Sequence, residues 1–278
     1  MKTIDSSRYR KTKYGGLYLS YSDIEQLTED IIMDYRSAIL TEPQAVEYDD
    51  FLEGYLDANI QYQYIYSKND NNIILGCTVF NKQRVYIFDK ENMKKDYIEC
   101  EPRTVILDCS LVDGNRKVQE NITGLHEGGH LYIHPGQFAH DEGQMFIQGI
   151  EGIICCRKDE IEKTDTLLVY NGNSAELWRE WQANVFAVTM ALPKRSLDIS
   201  VRELFRKYNI SEEQLITDAD SSNKYLAEHI IPAELKKIYN MSKESIKYRL
   251  FKTGFYTTME KYKDAHTNIQ MSVFDFIK

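Results

Sequence analysis

Residues 121 to 136 read NITGLHEGGHLYIHPG, and three of the chain's six histidines fall in this stretch at a spacing of four. At about 100° per residue, helical side chains four apart differ by about 40° in direction and one turn in height, so two imidazoles so placed reach one ion. His126 and His130 meet that condition. Ile122, Leu125 and Tyr132 supply an apolar face on the other side, and Glu127 falls beside the ion, where a carboxylate takes a proton from water. The chemistry requires a helix, and Gly128 and Gly129 oppose one by about 1 kcal/mol each relative to alanine. His134 does not complete the set. It would stand about 12 Å along the axis from His126, whereas zinc sits about 2 Å from each ligand nitrogen. The segment HPG ends the helix there, so His134 is expected as a capping or surface histidine.

A third ligand is needed. Asn173 followed by Glu176 has the form of a capping box and Pro193 marks an end, which predicts a helix carrying AELWREWQANVFAVTMA. Glu180 and Asn184 lie one turn apart on a face shared with Ala187 and Ala191, while Trp181, Val185 and Val188 form a bulky one. A carboxylate among small residues suits close packing against a metal-bearing helix. Glu180 is then the candidate ligand, and Asn184 would hold a ligand's ring N–H or the carboxylate itself. Glu176 is the rival acid, though capping would occupy it, and without the histidine motif Glu180 would read as a solvated helix charge.

Taken together, GLHEGGHLYIHPG and the later EWQANVFAVTMALP resemble the ImmA/IrrE family of zinc metallo-endopeptidases, which pair HExGH with a downstream E-x-x-A-N/D-x-F-A-x-x-L-L-x-P helix. The resemblance is strongest over residues 105 to 193, and MSKESIKYRLFKTG adds a further segment. It implies His126, His130 and Glu180 as ligands of one Zn2+ per chain, Glu127 as general base, and a small zincin-like α+β fold. It also implies a regulatory protease of bacteria and their mobile elements, acting on a helix-turn-helix repressor. Two departures stand out. Gly128 occupies a position where an apolar residue is usual, and 50 residues separate His130 from Glu180, which predicts an inserted hairpin around GIICCRKDEIEKTDTLLVY.

Working outward, residues 1 to 20 read as a flexible tail, 21 to 195 as the metallopeptidase domain and 196 to 278 as a helical subdomain. Ile24, Leu27, Ile31, Tyr35 and Ala38 recur at helical spacing, with Ser22 or Asp23 as the cap, and a weaker helix is expected over about 44 to 58. IQYQYIYS, IILGCTVF, RVYIFD and TVILDCSLV read as four strands of a mostly antiparallel sheet.

Composition narrows the function. The 278 residues are 42% hydrophobic, enough for a core, yet no apolar run approaches the roughly 20 residues that cross a bilayer, and MKTIDSSRYRKTKYGG lacks a secretory centre. A cytoplasmic protein without membrane attachment is expected. Five cysteines, an odd number with no CxxC, exclude a disulfide framework or thiolate zinc site, and Cys155 and Cys156 read as thiols buried in a strand. A net charge of -9 argues against nucleic acid. Residues 232 to 263 nevertheless carry eight Lys/Arg against three Glu, with Lys243, Lys247, Arg249 and Lys252 available to phosphates; a solvated basic face is the leading reading and a DNA-binding regulator the rival. For the electrophile that steadies a tetrahedral intermediate, Tyr132, His134, His140, Tyr170 and His229 are equal candidates. A zinc-bound protein that binds a repressor without cutting it is the remaining alternative.

Overall fold

The computed structural model describes residues 2–12, 16–67, 73–114, 116–138, 153–157, 175–210 and 213–264. Helix α1 (Tyr21–Arg36) opens the sequence of regular elements. Its cap is Ser20 rather than Ser22 or Asp23: the Ser20 hydroxyl accepts the Asp23 N–H while the Asp23 carboxylate accepts the Ser20 N–H, a reciprocal box that starts the helix before the apolar stripe begins. Ile24, Leu27 and Ile31 are buried as expected, joined by Thr28 and Ile32. The weaker helix contracts to a π-helical turn, Asp50–Tyr55, which buries Phe51 and Leu52.

Strands β1 (Asn59–Gln63), β2 (Ile74–Val79), β3 (Gln83–Asp89), β4 (Lys94–Cys100) and β5 (Thr104–Asp108) follow. With β6 (Ile153–Arg157) they form two units: a four-stranded sheet in the order β1-β5-β2-β6 and a separate β3-β4 hairpin. The expected sheet is corrected in membership. RVYIFD leaves it to pair with β4, the fourth place goes to β6, and β1 runs parallel to β5 while the two other pairings are antiparallel. The reason lies in the second face of the sheet. Cys77, Val79 and Ile106 need cover there, and Val85 with Cys100 provides it. Strand β5 is buried along its whole length, as a strand covered on both faces must be.

Helix α2 (Lys117–Ile133) carries the histidine motif and packs against β2 and β5 on one side and α3 (Ala175–Ala191) on the other. Its glycines do not loosen it. A Cβ on Gly128 would stand 3.0 Å from Phe51 Cε1 and one on Gly129 3.1 Å from Phe186 Cβ, so both positions are spent on close packing rather than on bending. Asn173 and most of the expected hairpin, TLLVY included, lie outside the described residues.

The first twenty residues are not a free tail over the parts described. Leu17 and Leu19 are buried, Ile4 N–H donates to the Tyr132 carbonyl at 2.9 Å, and Tyr18 stacks on Trp178. At the other end, α4 (Lys194–Lys207), α5 (Ile231–Tyr239) and α6 (Lys243–Lys252) join the same hydrophobic core as α1 to α3. The turn expected at Asn240 is present, in left-handed conformation with φ 50°. Two short strands, β7 (Leu215–Ile216) and β8 (Tyr256–Thr257), pair in parallel beside these helices. One member of the basic face is corrected: Arg249 is fully buried, its Nε donating to the Leu192 carbonyl at 3.0 Å and its guanidinium paired with Glu25, so it is an internal strut and not a phosphate ligand. No helix among the described residues is long and apolar enough to cross a membrane.

Candidate metal centre

One turn of α2 brings His126 and His130 together, and α3 delivers Glu180 opposite them; all three are buried. His126 Nε2 and His130 Nε2 are 3.0 Å apart, and the Glu180 carboxylate oxygens lie 3.2 Å from the first and 3.5 Å from the second. The donor set can be tested against an ion. Four-coordinate zinc with bonds of about 2.0–2.1 Å sets its ligand atoms about 3.3 Å apart, and the three separations straddle that value. Two buried imidazole nitrogens and a buried carboxylate converging on one point are a set that could hold a metal ion.

The protons agree with the distances. Leu17 O accepts from Gln182 Nε2 at 2.9 Å, which orients the amide so that its oxygen faces His134 Nε2 at 3.0 Å. His134 therefore carries its proton on Nε2. Burial, and the nearness of His130, push its pKa well below the usual imidazole range, so it is neutral at pH 7 and its Nδ1 is an acceptor. His130 Nδ1, 2.9 Å away, must be the donor, which leaves the lone pair of His130 on Nε2, facing the site. His126 Nδ1 likewise lies 2.9 Å from Asn184 Oδ1 and donates to it. The two Nε2 atoms thus face each other across 3.0 Å beside the Glu180 carboxylate, a place that a shared proton or a cation fills. Burial alone would raise the Glu180 pKa, but His130 and His126 outweigh it and hold the carboxyl below its usual range.

Glu127 occupies the next position on the same helix. Thr78 Oγ1 donates to its Oε2 at 2.5 Å, and a Cβ on Gly76 would stand 2.5 Å from its Oε1, so β2 holds the carboxylate with one hydroxyl and makes room for it with one glycine. Its negative charge is felt at His126, where it helps Glu180 raise the imidazole pKa against the opposing effect of burial.

His130, His126, Glu180, Glu127 and Asn184 are therefore brought to one place, as the spacing anticipates. His134 is a correction in part: it is the C-terminal cap residue of α2 and does not contact the ion position, but it is buried rather than at the surface and fixes the ring of His130. Glu176 lies in the first turn of α3 and is exposed. Among the proposed electrophiles, Tyr132 packs on Phe186, and His229 is exposed beside Tyr225 and Glu228. His140 and Tyr170 fall outside the described residues. Sequence reasoning passed over Gln182, Thr78, Gly76 and Arg179. Gln182 stands two residues from both Glu180 and Asn184, so the helix carrying them was the available signal; nothing local singles out the others. Arg179 is half-buried against the Phe138 ring, and its charge helps to depress the pKa of His130 and His134.

Replacing His134 by Ala should weaken metal binding about 10–100-fold while leaving the three ligands in place. Competition with a chromophoric chelator measures this, and an unchanged affinity would detach His134 from the centre. No protein-family model matches the chain, and a search of curated proteins returns no significant match.

Proposed function

We propose that the protein is a zinc-dependent endopeptidase, a regulatory protease acting on a helix-turn-helix repressor or a similar protein in the cytoplasm of a bacterium. The observation that carries the chemistry is the pair of buried imidazole Nε2 atoms 3.0 Å apart beside the Glu180 carboxylate, with a second carboxylate, Glu127, anchored next to them. The likeness of the two helices to ImmA/IrrE motifs carries the substrate class.

His126, His130 and Glu180 would hold the ion, and zinc in such a set supplies a Lewis acid and lowers the pKa of a water toward 7. The chain's residues perform the remaining steps. Glu127 takes the proton of the attacking water and later delivers it to the leaving amine. Thr78 keeps one oxygen of Glu127 hydrogen-bonded so that the other swings between those two partners. Asn184 and His134 keep both ligand rings protonated on Nδ1. Arg179, the half-buried cation next to Glu180 in sequence, adds positive charge that is felt at His130 and His134.

Metal analysis joined to a hydrolysis assay tests this reading. The purified chain should hold about one zinc and cut an unstructured peptide library, chelation should stop the cutting, and Glu180→Ala should lower zinc affinity more than about 100-fold and abolish hydrolysis. Zinc held with no bond cut anywhere in the library would favour the binding-only regulator. Zinc retained in full by the Glu180→Ala variant would overturn the ligand set. The burial of Arg249 weakens the DNA-binding alternative, because it removes one of the four cations on which that reading stood.

A further inference from the structure

We propose that Cys77 and Cys155 form a reversible disulfide when the protein meets hydrogen peroxide, a modification site that fastens β6, the last strand of the sheet among the described residues, to β2 behind the metal centre. The two residues are direct partners in the antiparallel β2-β6 ladder, and the Cys77 thiol donates to the Cys155 sulfur at 2.9 Å. Opposed residues in such a ladder have Cα atoms about 4.5–5.5 Å apart, inside the range of about 4.4–6.8 Å that a disulfide spans, so the two sulfurs are within reach of a bond. Register singles out this pair among the described cysteines: Cys100 stands opposite Gln83, and Cys109 lies in a short helix after β5.

Access is asymmetric. Cys77 is buried and Cys155 is partly exposed, so the oxidant enters at Cys155. Its thiolate attacks one peroxide oxygen, the O–O bond breaks, and the sulfur is left as a sulfenic acid with one water released. The Cys77 sulfur then attacks that sulfenic sulfur, the S–O bond breaks, and the Cys77 proton leaves with the hydroxide as a second water. Two thiols and one peroxide thus give one disulfide and two waters, and a dithiol reductant reverses the result by exchange.

The place of the bond gives it a consequence. Cys77 sits between Gly76 and Thr78, the two residues that accommodate and hold Glu127. Side chains alternate along a strand, so Cys77 points to the opposite face, among Val79, Val85 and Ile106, and the bond forms without disturbing the Glu127 carboxylate. The chain loop that it closes contains the whole of α2. Oxidation therefore restrains β6 and the motif helix together, whether or not the centre is a peptidase.

The experiment uses the full chain, fully reduced, with and without bound zinc. After brief peroxide treatment, alkylation, denaturation and digestion, mass spectrometry should find a peptide joining Cys77 to Cys155 and two fewer thiols open to alkylation. The melting temperature should rise by about 5–10 °C and fall back after a dithiol reductant. Cys155→Ser should abolish both changes, and Cys109→Ser should leave both intact. A link between any other pair, or Cys155 carried to sulfinic or sulfonic acid while Cys77 stays alkylatable, would overturn the proposal. So would a Cys77–Cys155 link with no change in melting. None of these readings uses hydrolysis, so the result stands apart from the fate of the peptidase assignment.

Discussion

Glu127→Gln should leave zinc content unchanged and lower the rate of peptide hydrolysis about 10²–10⁴-fold, the usual worth of a positioned general base. The substitution keeps shape and volume, and the Thr78 hydroxyl still finds an amide oxygen to donate to. It removes only the capacity to take a proton. Because Glu127 is fully buried, losing its charge also lowers a desolvation cost, so the variant should melt no earlier than the parent. Metal analysis, a hydrolysis assay and a thermal melt on one preparation separate these effects. Loss of zinc together with activity would mean that Glu127 is a ligand. Undiminished inactivation of a partner protein by the Gln variant would mean that binding, not cutting, is the function.

Arg249→Ala should destabilise the protein by about 3–5 kcal/mol, the range for breaking a buried ion pair from one side. Arg249 comes from α6 and spans to α1 and to the end of α3: it pairs with Glu25, donates to the Tyr21 hydroxyl at 2.9 Å and to the Leu192 carbonyl at 3.0 Å. Glu25 is 17% exposed and keeps Lys194 at 3.6 Å, so its stranded charge is partly compensated. The larger share of the loss comes from the Leu192 carbonyl and the vacated volume. Denaturant titration measures it. Arg249→Met with Glu25→Gln should cost less than Arg249→Ala alone, since the pair of apolar and neutral side chains leaves no unpaired charge. Equal losses would mean that neither the stranded charge nor the vacated volume matters, and that the hydrogen bonds to the Leu192 carbonyl and the Tyr21 hydroxyl are what Arg249 contributes.

What the sequence made legible is what repeats locally. The period of α2 and the small-residue face of α3 were enough to place His126, His130, Glu180 and Asn184, because a helix converts spacing into direction by a fixed rule. What it concealed depends on partners far along the chain. The burial of His134 follows from Gln182, 48 residues on, and the orientation of Gln182 follows from the Leu17 carbonyl, 165 residues back. Strands suffer in the same way: RVYIFD has the pattern of a sheet member, and only the apolar back face of β2 and β5 decides that it belongs to a covering hairpin. The glycines of α2 misled for a related reason. Their cost to an isolated helix is certain, while their use, space for Phe51 and Phe186, exists only once the chain has folded.

The line of bonds that ends at Leu17 has a thermodynamic reading. A backbone carbonyl has no proton to give, so the order of donors from Gln182 through His134 to His130 can run in one direction only, and it starts in the segment nearest the N-terminus. Metal affinity and the order of that segment are then linked functions. Whatever detaches Leu17, whether trimming of the chain or a bulky N-terminal fusion, should weaken the hold on an ion at this centre, and by reciprocity an ion bound there would lend its binding free energy to the first strand-like residues of the chain.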